Sequence, residues 1–171
     1  EEHLPENSDV MATSSINDSI NKSGEVVRYG NKKAIIENVE LLNSDGSPQF
    51  SFKTGEKITI RYSMIAHQDF DKDLTIGFII RNKFTEVYGT NSRWKKCDLV
   101  GVKKGPMPVV TISMDLLLGT GTYALTSAIA IVHPGFVVEV LDRMEDHIIF
   151  HVQNNQDMSG FADLEAIITY E

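Results

Sequence analysis

The sequence predicts an all-β fold, an immunoglobulin-like antiparallel β-sandwich, on three observations. Apolar and polar residues alternate with a period of 2 through most of the chain, the repeat of a half-buried strand. Turn signals rich in Gly, Asn, Asp and Ser interrupt that alternation at short spacing, leaving room for about eight or nine strands. No stretch keeps a helical period for more than about two turns, and no solenoid repeat appears. A chain of 171 residues with 42% hydrophobic content has material for one sandwich core and no sign of a second.

Residues 1–25 are rich in Ser, Asn, Asp and Glu, with apolar residues too thinly spread to bury a face, and they read as a linker. The chain opens on Glu-Glu-His rather than methionine, so this stretch is expected to tether the sandwich, residues 26–171, to an upstream domain. Alternation begins at Val26. Ile35, Glu37, Val39 and Leu41 oppose Ala34, Ile36, Asn38 and Glu40, with apolar residues on both sides at the start, so the facing of this strand stays open. Asn43-Ser44-Asp45-Gly46 is a turn, its glycine free to take positive φ. Phe50 and Phe52 follow, then a second turn at Thr54-Gly55-Glu56. Ile58, Ile60, Tyr62 and Met64 then point one way and Thr59, Arg61 and Ser63 the other, which leaves Arg61 outward.

After the loop His67 to Asp73 comes the stretch around which the fold is organised, LTIGFIIRNKFTEVYGTNSRW, Leu74 to Trp94. Leu74, Ile76, Phe78 and Ile80 form an apolar face, and Thr75, Gly77, Ile79 and Arg81 the other. Asn82 to Thr85 makes the turn; keeping Val87 on the apolar face places Tyr88 across from Ile79 and Thr90 across from Gly77. Gly77, Arg81, Tyr88 and Thr90 are then expected to share an outward surface. Lys95 to Met107 loses the pattern, with Gly101, Gly105 and Pro106 in it, and a loop of that length in a compact domain is often functional.

Val110, Ile112, Met114 and Leu116 resume alternation, and Leu118 to Thr122 turns the chain. Tyr123, Leu125, Ser127, Ile129 and Ile131 then alternate with Ala124, Thr126, Ala128 and Ala130, whose small side chains flatten that sheet surface. His133-Pro134-Gly135 breaks the strand, Val137 to Leu141 is a short apolar piece, and Asp142 to Asp146 reads as a turn. Ile148, Phe150 and Val152 form an inward row with His147, Ile149 and His151 opposite. Asn154 to Gly160 is polar, and Leu164 to Tyr170 reads as a last strand.

A net charge of −8 argues against a nucleic-acid partner, which demands a cationic face; Arg93, Lys95 and Lys96 are too few to supply one. The lone cysteine, Cys97, forms no intramolecular disulfide and leans towards a reducing compartment. No run approaches the roughly 20 apolar residues of a membrane helix, so a soluble domain is expected. The sequence has no GxxxxGK[ST], GxSxG or HExxH motif and no cysteine pair, so neither an enzyme nor a cofactor is expected. Asp69, Asp71 and Asp73 with His67 invite a calcium reading, but the mid-loop glycine and closing glutamate are missing, position 80 being isoleucine. A solvated loop is favoured and no metal is expected. His147 and His151 sit ~13 Å apart along a strand, too far to share an ion. Glycoside cleavage needs two acids facing one cleft, and Glu86 is the only one placed on the outward hairpin face.

Sugar binding without cleavage asks for less: an aromatic face, planar donors and a rigid surface beneath. Tyr88 with Arg61, Arg81 and Thr90, joined by Thr126 and His151 from neighbouring strands, fits that description. Arg93 and Trp94, the only tryptophan, stand at the mouth of the irregular loop. Each is also an ordinary strand or loop residue, and Trp94 read blandly plugs the end of the sandwich. One aromatic contact and three or four hydrogen bonds at ~1 kcal/mol each give about 4–5 kcal/mol, a dissociation constant near millimolar.

The order RYGNKKAIIENVEL, TGEKITIRY, TIGFIIRNKFTEVYGTNS, LGTGTYALTSAI and DRMEDHIIFHV resembles the C-terminal domain of Wzt-type subunits over Arg28 to Glu171. Those are the nucleotide-binding subunits of bacterial ABC transporters that export O-antigen polysaccharide. The resemblance implies a glycan-binding sandwich that gives the exporter its substrate specificity at the cytoplasmic face of the bacterial inner membrane. The permease would be reached through an upstream ATPase domain. It also implies a homodimer, with the last strand exchanged between protomers, and recognition of the glycan repeat or of a modified, sometimes phosphorylated, chain end. Two rivals stand beside this reading: an interaction module that binds no glycan, and a glycan-modifying enzyme.

Overall fold

The computed structural model describes residues 26–133, 138–154 and 158–169. The expected linker 1–25, the break at Pro134-Gly135, residues 155–157 and Tyr170 lie outside them. Among the described residues there is no helix, and ten strands form two sheets. They are β1 (Arg28–Tyr29), β2 (Ala34–Leu42), β3 (Ser51–Lys53), β4 (Lys57–Ala66), β5 (Thr75–Arg81), β6 (Glu86–Asn91), β7 (Gly105–Pro106), β8 (Val110–Asp115), β9 (Gly121–Val132) and β10 (Val138–Gln153). One sheet runs β1-β10-β9-β5-β6, with β3 parallel to the far end of β10. In the other, β4 pairs with β2 on one edge and with β8 and then β7 on the other.

The alternating residues meet between the sheets. Ile58, Ile60, Tyr62 and Met64 of β4 are at most 2% exposed and join Ile76, Phe78 and Ile80 of β5 and Leu125 and Ile129 of β9 in one cluster. Phe150 stacks on Tyr123 at 5.7 Å and meets Phe52 edge-on at 6.2 Å. Each such side chain contributes ~1.5–3 kcal/mol by leaving water. The antiparallel sandwich is therefore as the alternation predicts, and the six-stranded sheet keeps its other face for solvent.

β10 departs from expectation. Asp142 to Asp146 is not a turn, because sixteen residues run through as one strand that absorbs the charged stretch in two register breaks. The first, between Val140 and Asp142, drops Leu141 into the core and buries the Asp142 carboxylate. That carboxylate pairs with Arg28 and Lys32 and accepts the Ile36 amide at 2.9 Å, so one buried charge joins β10 to β1 and to the opposite sheet. Burial alone would raise its pKa, but the hydrogen bonds from Arg28, Lys32 and Ile36 outweigh that and hold it below the usual carboxylate range. Gly30 makes the approach feasible: at φ 135° its Cα lies so near β10 that a Cβ would stand 2.4 Å from the Leu141 carbonyl oxygen.

The second break sets Glu145, Asp146 and His147 against Thr126, with Asp146 at φ 45°. It turns His147 away from the face expected of it: Nε2 lies 2.9 Å from Ser127 Oγ, which is 3.1 Å from the Tyr62 hydroxyl in the core. Desolvation, with the Arg28 charge, lowers the His147 pKa to about 4 against a weaker pull from Asp146. The expected last strand is also missing from both sheets. Ala162 bridges Leu118 and Asp163 N donates to the Leu117 carbonyl, but residues 164–169 join no strand and leave Leu164, Ile167 and Ile168 84–88% exposed.

Candidate functional site

The outward side chains of the six-stranded sheet fall into transverse rows. Arg143, Ala128, Gly77 and Asn91 form one, crossing β10, β9, β5 and β6. Thr126, Ile79 and Gly89 lie on one side of it, and Val140, Ala130 and Thr75 on the other. Ala128, Gly77, Ala130 and Gly89 keep these rows low around Ile79, and the sheet forms the floor of an open cavity of about 350 Å³. Gly77 is needed twice: a Cβ there would intrude on the floor and stand 2.8 Å from Asn91 Cβ and 2.9 Å from the Thr90 carbonyl. Thr75 is buried in that floor, and its hydroxyl has no hydrogen-bond partner.

Two walls rise from irregular backbone. The Asn91 side chain accepts the Trp94 amide at 2.9 Å, and Cys97 N donates to the Ser92 carbonyl, a turn that holds the Trp94 indole at the cavity mouth, 70% exposed. Ser92 Oγ fastens this turn to β5 by accepting the Ile76 amide at 3.0 Å. On the opposite wall Arg143 grips Glu145 with Nε (2.7 Å) and Nη2 (3.4 Å). Thr126 and Tyr29 also donate to Glu145. Burial works to raise the Glu145 pKa, but Arg143, Thr126 and Tyr29 outweigh it and hold the carboxyl below its ordinary range. One row beyond, Arg81 lies 3.4 Å from Asp146, whose amide donates to Thr126 Oγ1 at 2.9 Å. Among the described residues no three metal-ligating side chains converge; Asp69 instead accepts the Lys104 amide and pairs with Lys103.

The structure brings some of the expected residues together and separates others. Trp94 and Thr126 line the cavity, Thr90 borders it from a position that pairs with core-facing Phe78, and Arg81 is not in its lining but lies one row beyond Thr126, against Asp146. Tyr88 does not belong there. Ile80 pairs with Tyr88 and Arg81 with Glu86, which makes Val87 an extra residue and flips everything after it on β6. Thr90 thus pairs with Phe78 rather than Gly77. The Tyr88 ring packs 5.8 Å from Phe78 and borders a separate apolar slot of about 250 Å³ with Met114, Leu116, Leu118 and Ala162. Arg61 is outward as expected, but on the other sheet, at the opposite side of the sandwich, 2.7 Å from Glu40. His151 shares the cavity's sheet face but pairs with Thr122, four residues or ~13 Å along β9 from Thr126. Arg93 is exposed in the turn and does not line this cavity. Sequence reasoning missed Arg143, Glu145 and Asp146, which lay in the supposed turn, and Asn91, hidden by the register error.

The molecule is thus a two-sheet β-sandwich with a shallow open cavity on one sheet face. The family is shown by comparison: residues 25–164 match the Wzt C-terminal domain family, and the chain belongs to it. A crystal structure of the C-terminal domain of Wzt superposes with a TM-score of 0.79 at 25% identity, over 86% of this chain and 89% of that one. A CARDB domain from Pyrococcus furiosus, crystallised with di-metal ions, is 12% identical with a TM-score of 0.35 over 72% of this chain and 97% of its own. The PmoD soluble domain from a Methylocystis species is also 12% identical, with a TM-score of 0.34 over 74% and 95%. Similarity at those two scores carries no argument. No curated protein matches the sequence.

Proposed function

We propose that this domain binds the glycan handled by an O-antigen ABC exporter and gives that exporter its substrate specificity, with no chemistry of its own. The observation that carries the reading is the cavity on the six-stranded sheet, where a lone exposed tryptophan overhangs a floor of glycine and alanine. A pyranose presents an apolar C–H face and a rim of hydroxyls. The indole of Trp94 suits the first; Asn91, Arg143 and Glu86 around the walls suit the second. Thr126 serves as the inner support of that rim, with Arg81 one row beyond it.

In this reading the domain works beside an ATPase that engages the membrane permease at the cytoplasmic face of the bacterial inner membrane, which membership of the Wzt C-terminal domain family supports. Working as a homodimer suits a weak site, since two cavities on one long repeating chain raise avidity. The uncovered Leu164, Ile167 and Ile168 support assembly through the last residues.

Titration with O-antigen polysaccharide purified from the strain encoding the chain tests the reading. Trp94→Ala should weaken binding by about fivefold to tenfold, the worth of ~1 kcal/mol of ring contact, and Ala128→Trp should abolish it by filling the floor. Unaltered affinity in both variants, each still folded by circular dichroism, rules the cavity out.

A further inference from the structure

Building on the saccharide reading above, we infer that one end of the cavity is a subsite for a methyl group of the bound sugar, the C6 methyl of a 6-deoxyhexose or the methyl of an acetamido group. The lining is divided along the strands. Arg143 and Asn91 stand in the row of Ala128 and Gly77, and Thr126 and Glu86 lie from there towards the hairpin turn. In the other direction come Ala130 and Thr75, then Val132 and Val138. Among those four side chains Thr75 carries the only oxygen, which is buried without a partner and closed to a ligand. Ser92 N donates to the Ile76 carbonyl, and Leu74 and Leu99 exchange hydrogen bonds, so the turn that bears Trp94 leaves the sheet beside Thr75, at this same end.

The neighbouring polar groups are committed elsewhere. β9 runs between β10 and β5, which take up its backbone hydrogen bonds. Glu139 pairs with Ile131 on the alternate face, where Lys33 and His133 hold it, and Lys72 and Asp73 do not line the cavity. A hydroxyl laid across Ala130, Val132 and Val138 would give up water and find no partner in those side chains, whereas a methyl group gains by leaving water. Ala128 and Ala130 are two residues apart, ~7 Å of strand, a step that one substituted pyranose bridges. Its hydroxyls then stay with Arg143 and Asn91 while the methyl seats beyond them.

The test follows emission from Trp94, the chain's only tryptophan, during titration with matched trisaccharides: D-mannose against 6-deoxy-D-mannose, and D-glucose against N-acetyl-D-glucosamine. Polysaccharide from the strain encoding the chain is the reference. One methyl-bearing trisaccharide should bind about fivefold or more tightly than its hydroxylated counterpart, and the pair that shows this names the source of the methyl. Val132→Thr with Val138→Thr, isosteric and suited to strands, should cut that preference below about twofold and leave the hydroxylated member bound as before or better. Val138→Thr alone, at a residue 54% exposed, should lower the preference if the double variant does not fold. A preference that survives these changes, or reference binding with no preference in either pair, overturns the inference and leaves the saccharide reading standing. Reference polysaccharide that leaves Trp94 emission unmoved, with all the trisaccharides silent, overturns the saccharide reading at this cavity and the inference with it.

Discussion

Gly77 carries more than any other single position in the cavity, because its missing side chain is both the floor and the space into which β6 closes. Gly77→Ala should cost about 1–3 kcal/mol through the contacts at 2.8 and 2.9 Å, seen as a lower Tm. An unchanged Tm would mean that the hairpin relaxes freely. His147 makes a different prediction. Its ring is neutral in the fold, with a pKa of about 4 against 6.5 when free. Stability is thus complete above pH 6.5 and is lost as the unfolded chain gains a proton between 6.5 and about 4, by at most on the order of 3 kcal/mol. His147→Gln should flatten urea midpoints across that window. Acid loss below it would remain, because Asp142 and Glu145 are held below the ordinary carboxylate range and give up their stabilisation as pH falls through their folded values.

Among the elements β10 does the most. Its first register break buries Asp142 under Arg28 and Lys32, and removing that carboxylate leaves two partly exposed cations and the Ile36 amide without their acceptor. Asp142→Ala should cost about 2–3 kcal/mol, less than a fully buried pair because water reaches both cations. Hydrogen exchange should speed up first at Asn31 and Lys32, whose amides bond to the Val140 and Leu141 carbonyls. β10 also marks where the sequence stops being legible. β4, β5, β8 and β9 could be read from alternation because the extra residues at each register break lie on their partners, β2, β6 and β10, so alternate side chains along these four keep to one face. Bulges defeat that logic: one extra residue at Val87 inverted Tyr88, and three residues against Thr126 inverted His147 and hid Arg143 inside an apparent turn. The floor was visible as small residues between apolar ones; the walls were not, since bulge and turn geometry set them.

For the whole molecule, the unpaired end matters most. Residues 164–169 follow the short pairing of Ala162 with Leu118 and carry three large aliphatic side chains into solvent. If a second protomer covers them, as we propose, Ile167→Asp with Ile168→Asp should give a monomer by light scattering with its core intact, and long-chain glycan binding should fall more than binding of a short fragment. A monomeric parent domain would refute the assembly. The cavity, in contrast, divides into parts with separate duties. Its base is shared with the hydrophobic interior, whereas residues 93–97 form an exposed turn carried by Asn91 and Ser92, which are themselves bonded to β5. If the cavity takes a saccharide, as we propose, that turn is an exchangeable cassette: grafting another sequence at 93–97 should redirect ligand choice while the supporting sheet stays as it is.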